Sequence, residues 1–284
     1  MIVGSRILFL GRGGNLMTST QRHTEADYRD SPLYGFAVRS KLYRPFTIFR
    51  GLYRTYVARS DAAYEPASWW DRYYTGQPIE DATTLNPGKE LYPSLYHYNS
   101  IENLILSYLF NTGAAVDGAH VLDVGSGAGH WLGFYAGLGA ASVTGVELSH
   151  PAAEALSERF ADNTRINVIQ GNVAEREFDR HFDLVNAIGV MFHIVDDEAF
   201  DRTVTALVAA TAPGGLLVFG GHFGIFDNVN VQYDREGRVN KRLRSRRHWR
   251  RLLTGCRHVD FVRNDAYRHI DATLPENNLL IARR

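Results

Sequence analysis

The chain of 284 residues has a single cysteine, Cys256, so it forms no intrachain disulfide and holds no cysteine-rich zinc site. That scarcity fits a reducing, intracellular setting, and the cytoplasm is the expected compartment. Neither sign of charge is in excess: Lys plus Arg and Asp plus Glu each number 31. This balance argues against a nucleic-acid coat or a strongly anionic macromolecular partner, leaving only local patches. No apolar run approaches the roughly 18 residues of a membrane-spanning helix. The short run Ile7-Leu8-Phe9-Leu10 is also too brief for the core of a signal peptide. Internal repeats are lacking. What remains is an ordinary globular composition, 45% hydrophobic, long enough for one large domain or a domain with an extension, with a core that needs no metal or disulfide staple.

The chain divides into an aromatic-rich front and an alternating rear. Residues 1–32 are polar and at first Gly-rich, and are expected to be poorly ordered; Met17 offers an alternative start. Residues 33–94 are expected to form a helical extension or lid. Tyr34, Phe36, Tyr43, Phe46, Phe49, Tyr53 and Tyr56 alternate there with Arg39, Lys41, Arg44, Arg50, Arg54 and Arg59, followed by Trp69, Trp70, Tyr73 and Tyr74. The base-rate reading is one or two helices packed over the main domain with their basic face in water. The alternatives are a lid over a substrate or an interfacial helix touching lipid. Residues 76–95 read as loop, because Gly76, Pro78, Asn86-Pro87-Gly88 and Pro93 punctuate them. Asn99 with Glu102 resembles an N-terminal capping pair for a helix carrying Ile101, Leu104, Ile105, Tyr108 and Leu109 on one face and stopping near Gly113.

Residues 95–284 are expected to form the main domain. Short apolar strands at Val121–Val124, Ser142–Glu147, Ile166–Gln170, Phe182–Ile188 and Leu216–Gly220 alternate with helical segments, among them one capped by Ser149 and one beginning at Asp196. Such alternation predicts an α/β fold with a parallel sheet covered on both faces. Two last apolar runs, Val259–Val262 and Asn278–Ala282, suit a terminal strand pair. The prediction is a Rossmann-like, doubly wound, mostly parallel seven-stranded sheet with a terminal antiparallel strand. Ahead of these two runs, Arg235 to Arg251 holds eight arginines and Lys241 against one glutamate; the plain reading is a solvated helix face, the alternative a site for phosphate or an acidic substrate.

The segment Val121-Leu122-Asp123-Val124-Gly125-Ser126-Gly127-Ala128-Gly129-His130 places a glycine loop between a strand and a helix. Ligands of open α/β sheets bind at that junction. Glycines allow positive backbone angles and close approach, and the helix start offers free N–H groups. Glu147 ends the next strand, where a carboxylate can accept from both hydroxyls of a ribose. A nicotinamide-dependent oxidoreductase would use similar parts, but its fingerprint is Gly-x-Gly-x-x-Gly. Here the spacing is Gly-x-Gly-x-Gly and position 130 is His.

In these features the chain resembles the class I S-adenosylmethionine-dependent methyltransferases over roughly residues 95–284. Five segments match in order: the Asp123 to Gly129 loop, Glu147, Gln170-Gly171-Asn172-Val173, Phe182-Asp183-Leu184-Val185-Asn186, and Leu207 through Pro213-Gly214-Gly215. Gly189-Val190-Met191-Phe192-His193-Ile194 before an acidic helix start is similar to the small-molecule branch of that family, and the fourth strand lacks the Asn-Pro-Pro-Tyr type run of enzymes that methylate DNA bases. The resemblance implies S-adenosyl-L-methionine as cofactor. It also implies roles: Gly125, Ser126, Gly127 and Gly129 cradling the methionine part, Asp123 reaching its amino group, and Glu147 on the ribose with Leu148 beside the adenine. Asn172, where the family more often has Asp, and Val173 would face the adenine edge, and Asn186 and Ile188 would lie below the sulfonium. Apart from the resemblance, Tyr98 and Asn99, just before a helix, are placed to close over the cofactor.

A small-molecule acceptor is expected, with oxygen as the preferred methyl acceptor because two histidines sit where a base is wanted: His193 after the fourth strand and His222 after the fifth. His97 is a third choice. Each histidine is equally readable as a simple loop hydrogen-bonder. N- or C-methylation of a small molecule, or of a lipid or lipid-linked sugar at a membrane surface, is the alternative. An NAD-dependent oxidoreductase or a non-catalytic cofactor-binding module are the rivals outside methyl transfer.

Overall fold

A computed structural model describes residues 64–81, 84, 91–224, 226–227, 229–233, 239–264 and 277–284. The expectations for residues 1–32 and for the aromatic-basic stretch 33–63 lie outside the described residues. The elements are α1 (Pro66–Tyr74), α2 (Leu91–Thr112), β1 (His120–Val124), α3 (His130–Gly137), β2 (Ser142–Glu147), α4 (His150–Arg159), β3 (Ile166–Gln170), β4 (Phe182–Ile188), α5 (Asp197–Ala210), β5 (Thr211–His222), β6 (Val229–Tyr233), β7 (Val239–Leu243), α6 (Arg246–Leu252), β8 (Arg257–Val262) and β9 (Asn277–Arg283).

Seven strands form one sheet in the order β3-β2-β1-β4-β5-β9-β8. Neighbours from β3 to β5 pair in parallel, and β9 runs antiparallel to both β5 and β8. This is the mostly parallel, seven-stranded Rossmann-like sheet with its terminal antiparallel strand. Strand order reverses between β1 and β4, and a crevice opens at such a switch point beyond the strands' carboxyl ends.

The central strands read as unbroken apolar runs because helices cover both faces. Side chains of a strand alternate between faces. Val121, Leu184, Ile188 and Val218 join a core with Ile101 and Ile105 of α2 and Trp131, Leu132 and Tyr135 of α3. Leu122, Val124, Val185 and Phe219 join the opposite core with Phe200, Val204 and Leu207 of α5 and Trp249 of α6. Asp123, between Val121 and Val124, therefore points into the α2–α3 side, where it is buried.

Several boundaries follow local chemistry. The Asp196 carboxylate accepts from the Ala199 amide and opens α5, with Asp197 and Glu198 in the first turn. The Ser245 hydroxyl accepts from the His248 amide and opens α6. Ser149 stands at the N-cap of α4, but its side chain makes no cap bond.

Two sequence readings are corrected. Helix α2 begins at Leu91, not at Asn99, so residues 91–95 are not loop. Pro93 sits in the first turn, where a missing N–H costs nothing, and so marks a start, not a break. Asn99 is exposed within the helix, and Glu102 reaches His130 instead. The basic run 235–251 is not one solvated helix face either: Val239–Leu243 is a strand, β7, paired antiparallel with β6. Arg242 of β7 and Arg244, the residue just after it, both bind Asp197, at 2.7 Å and 2.8 Å.

Arg244 is the buried centre of that clamp, about 1% exposed. Its guanidinium donates to the Ile194 carbonyl at 2.6 Å, to the Asp196 carbonyl at 3.2 Å and to Asp197, and lies 4.2 Å from the centre of the Phe200 ring. Burial pulls its pKa down to about 10, against the pull of Asp197. At Asp197, burial acts to raise the carboxyl pKa, but the bonds and charges of Arg242 and Arg244 outweigh it and the net shift is downward. The folded state therefore gains from Asp197 above the ordinary carboxylate range and loses that gain as pH falls through the lowered value. Asp197→Ala is expected to destabilise the fold by about 1–3 kcal/mol, a figure kept low because its side chain is 36% exposed. Arg244→Met in the same chain is expected to recover part of the loss, because the stranded buried charge disappears. Thermal melting of the single and double variants checks both statements; an additive double variant contradicts the coupling.

Candidate active site

Beyond the carboxyl ends of β1, β2, β4 and β5 lies a cavity of about 170 Å³. One side is the glycine loop. Gly125, Gly127 and Gly129 take φ values of 67°, 55° and 84°, which L side chains adopt only at a cost. Gly125 lines the cavity, and a Cβ there would collide with Val190. A Cβ on Gly127 would collide with the Thr84 methyl, and one on Gly129 would meet Leu156 and Phe160 at 2.6 Å. The third glycine thus serves packing of α3 against α4, and the first two leave room at the loop itself. Gly127→Ala is expected to cost about 1–2 kcal/mol for the left-handed conformation alone, and to push Thr84 off the loop. The check is a lower melting temperature together with weaker binding of S-adenosylhomocysteine; a variant native in both would contradict the stated fit.

Glu147 ends β2 and lines the cavity, with Leu148 beside it. Its two oxygens accept from the Gly127 amide at 2.8 Å and the Ser149 amide at 2.9 Å. Burial raises its pKa, and those two amides work in the other direction. Each carboxylate oxygen keeps a further lone pair for a ligand hydroxyl.

Asp123 lies behind the lining residues. Oδ1 accepts from the Asn186 side-chain amide at 2.7 Å, while Oδ2 is buried with no hydrogen-bond partner. Burial lifts the carboxyl to about 6, with Asn186 and Ser126 acting against it. Asn186 in turn accepts from the Tyr135 hydroxyl at 3.0 Å. Its amide is thus used on both ends inside the core, and it is a support for Asp123.

The other wall comes from the front of the chain. Pro66, Trp70 and Tyr74 of α1, Thr84, and His97 and Tyr98 of α2 line the same cavity. The Tyr98 ring stacks on His130 at 3.6 Å between centres. His130, the first residue of α3, bonds Asp81 at 2.9 Å and Glu102 at 2.8 Å. One imidazole thereby ties the extension and α2 to the helix that follows the glycine loop.

The far end holds Ile188, Phe192, His193, His222 and Lys241. His193 ends a short 3-10 turn, Met191–His193. Its Nδ1 lies 2.8 Å from the Asn240 carbonyl. A carbonyl only accepts, so Nδ1 carries the proton and Nε2 keeps its lone pair. Burial, then the charge of Lys241, holds the imidazole well below its ordinary pKa, so it is neutral at pH 7.

The sequence-derived candidates thus divide. Tyr98, Gly125, Ser126, Glu147, Leu148, Ile188, His193 and His222 meet at one cavity. Asp123 and Asn186 stand behind it, and Gly127 and Gly129 shape it. Asn172 caps the short turn Val173–Glu175: its Oδ1 accepts from the Ala174 amide and its Nδ2 donates to Glu175. Neither Asn172 nor Val173 is among the lining residues. Thr84 lines the cavity without having been singled out, while Trp70 and Tyr74 come from the stretch read as a possible lid, Phe192 from the segment Gly189–Ile194 and Lys241 from the basic run.

A profile of the methyltransferase-domain family matches residues 121–215, which run from β1 into β5. A ubiquinone biosynthesis O-methyltransferase of Shewanella pealeana is 28% identical over 157 residues, 54% of this chain and 56% of that protein. The chain thus spans about half the length of the curated relative it matches. Among solved structures, magnesium protoporphyrin IX methyltransferase of Synechocystis with bound S-adenosylmethionine aligns at TM-score 0.57 and 14% identity, over 79% of this chain and 100% of that one. The 1,6-didemethyltoxoflavin-N1-methyltransferase of Burkholderia thailandensis aligns at 0.54 and 17%, over 79% and 93%. The N-methyltransferase NodS of Bradyrhizobium japonicum, with bound S-adenosylhomocysteine, aligns at 0.54 and 18%, over 77% and 97%. At these identities the structures establish the fold. Residues 121–215 thus match the methyltransferase-domain family, and the sheet order and glycine loop belong to the fold that these solved methyltransferases share.

Proposed function

We propose that the chain transfers the methyl group of S-adenosylmethionine to a hydroxyl oxygen of a small molecule, with His193 as the base. The observation that carries this reading is the bond from His193 Nδ1 to the Asn240 carbonyl, 2.8 Å long. It fixes the tautomer whose Nε2 is available to take a proton, in a cavity lined by the same histidine. The name of the curated relative, an O-methyltransferase, supports oxygen as the accepting atom.

The residues present fit the cofactor. Glu147 faces the cavity with spare lone pairs for ribose hydroxyls, and Leu148 offers an apolar contact to the adenine. Asp123 presents a buried, unpartnered carboxylate oxygen behind the loop, suited to the amino group directly or through water. Gly125 and Ser126 leave the main chain open to the methionine part, and Tyr98 and Tyr74 close the cavity from the front of the chain. Asn172 and Val173 lie outside the lining of the cavity, Asn172 bonded within its own turn and Val173 in the core, so the reading does not rest on them. Asn186 acts as a positioning residue for Asp123, and Ile188 stands at the end of β4 below the reacting centre. When bound, the cofactor supplies a methyl group already activated on a positive sulfur. The chain's own work is to orient the acceptor, exclude water and accept the hydroxyl proton at His193 Nε2. His222 is the second base candidate, and its ring lies 5.1 Å from that of Phe192.

No described helix is long and apolar enough to cross a membrane. The test of the cofactor is isothermal titration with S-adenosylhomocysteine, with NAD as control. Micromolar binding of the former alone supports the reading, and transfer of labelled methyl from S-adenosylmethionine to a panel of small hydroxylated compounds then tests the acceptor atom. Binding of NAD alone overturns it.

A further inference from the structure

Among the aromatics at the front of the chain, Trp70 touches the proposed base. It lines the cavity from α1, and its ring lies 5.0 Å from that of His193, with the two planes at 86°. The Asn240 carbonyl holds His193 at one atom, Nδ1. The last torsion of a histidine side chain has only a broad preference, so a bond at one atom does not fix the plane of the ring. Trp70 supplies a second contact, on the flank of the imidazole.

Trp70 is itself held. Tyr74, four residues on and on the same face of the helix, is buried and stacks with it at 5.8 Å and 26°. Tyr73 meets it edge-on at 5.4 Å. The next residue, Asp71, accepts from the His150 amide at the start of α4, 2.9 Å away, which ties α1 to the main domain. Trp70 is half-buried and belongs to neither of the two cores, so the packing of the sheet does not account for its place. We infer that Trp70 is a positioning residue for the base: its indole fixes the plane of the His193 imidazole and keeps water from it, so that the base is complete only with α1 seated. This deepens the proposed methyl transfer and rests on His193 as its base. A lone pair takes a proton efficiently only when aimed at it, and water admitted to the same place would compete for that lone pair. Among the described residues, Lys241 of β7 and His222 at the end of β5 oppose a charge on His193, and the Asn240 carbonyl favours it. Helix α1 faces it with the Trp70 ring, Tyr74 stands behind that ring, and the Asp71 carboxylate is turned to His150. Removing the indole leaves these groups in place and admits water. Burial, the largest influence on His193, is then relieved, and the ring becomes easier to protonate.

The test is a pH titration of the full chain followed by nuclear magnetic resonance of the histidine rings, with no acceptor or cofactor added. The His193 signal is assigned by its loss in His193→Gln. In the native chain a nuclear Overhauser effect between the indole and the His193 ring is expected, and its absence overturns the inference whatever the variants do. In Trp70→Ala the midpoint of the His193 titration is expected to rise toward the ordinary 6.5. Exchange of its Nδ1 proton with water is expected to quicken about tenfold, the worth of one aromatic contact. Trp70→Phe, which keeps a ring, is expected to stay near the native chain in both. His248, held by Asp201 of α5 at 2.7 Å, is the internal control and is expected to keep its native titration, with the melting temperature as a check on folding. A merely structural tryptophan would move the melting temperature alone. A native His193 midpoint in folded Trp70→Ala overturns the inference, as does a rise as large in Trp70→Phe as in Trp70→Ala. Turnover that survives His193→Ala is a different result: it removes the base, and this inference with it.

Discussion

His193→Ala is expected to lower turnover of a hydroxyl acceptor by about 10²–10⁴-fold, the usual contribution of a positioned general base, while leaving affinity for S-adenosylhomocysteine unchanged. The two halves of this result come from the two ends of the cavity. The histidine stands past the end of β4, held by the Asn240 carbonyl on β7; the groups suited to the cofactor stand at the ends of β1 and β2. A purely structural histidine would give another pattern, in which melting temperature and cofactor affinity fall together. The pH dependence adds a second readout. Burial, joined by Lys241, holds the His193 pKa well below its ordinary 6.5, so the base is already unprotonated at neutral pH. The native rate should show no His193-dependent loss between pH 8 and about 6.5, and an acid limb only below that. Stability has the same sign. The unfolded histidine takes up its proton first, so the folded state is expected to lose stability as pH falls below about 6.5. Unchanged turnover in His193→Ala would remove it as the base, and His222→Ala would then be the variant to measure.

The glycine-loop end of the cavity was largely legible in the sequence because backbone needs dictate it. A strand that meets a helix through a loop open to a ligand calls for glycines, and the three glycines of 125–129 do take left-handed angles. Central strands covered on both faces must be apolar throughout, so β1 and β4 stand out as short hydrophobic runs. The far end, with His193 and His222, was less legible for equally physical reasons. Strands β6 and β7 form a separate two-stranded sheet, and Lys241 and Arg242 of β7 obscure its period. Arg244 is charged yet buried, which no composition rule anticipates; only its four neighbouring carbonyls and Asp197 make that position tolerable. His130 is the first residue of α3, but nothing local foretells its bonds to Asp81 and Glu102, which join segments 49 and 28 residues away. Asn186 sat correctly at the end of a core strand, and what the sequence did not carry was that both ends of its amide are used by Tyr135 and Asp123.

Those differences have a common cause. Glycine angles and strand burial are local properties that one segment expresses alone. The tautomer of His193, the charge at Lys241 and the cover over the glycine loop arise where β4, β7, α1 and α2 meet. The β7 clamp shows how such a meeting holds its geometry: Arg242 and Arg244 bind Asp197 at the start of α5, and Arg244 also binds the Ile194 carbonyl just after His193. The turn bearing the proposed base is therefore fastened on both sides to the strand that bears Asn240 and Lys241.

Glu147→Ala is expected to weaken S-adenosylhomocysteine binding about 10²–10³-fold and to lower the melting temperature as well. In the native chain the carboxylate joins the glycine loop, through the Gly127 amide, to the start of α4, through the Ser149 amide. Hydrogen bonds to a charged group contribute about 1.5–3 kcal/mol each. Alanine strands both amides in a buried place and removes the acceptors suited to the ribose hydroxyls. Two lost ligand contacts at the lower end of that strength, about 3–4 kcal/mol together, correspond to the stated fall in affinity, since about 1.4 kcal/mol is a factor of ten. Glu147→Gln separates the two effects. Its one carbonyl oxygen can still accept from one amide, but its NH₂ group faces the other amide donor to donor, so part of the loop contact is lost without opening a void. Glutamine is expected to fall between native and alanine in melting temperature, yet close to alanine in cofactor affinity, because ribose recognition needs acceptors on both sides. Calorimetric titration with S-adenosylhomocysteine decides it: native affinity in Glu147→Ala would mean that the carboxylate serves the loop alone and that the ribose is held elsewhere.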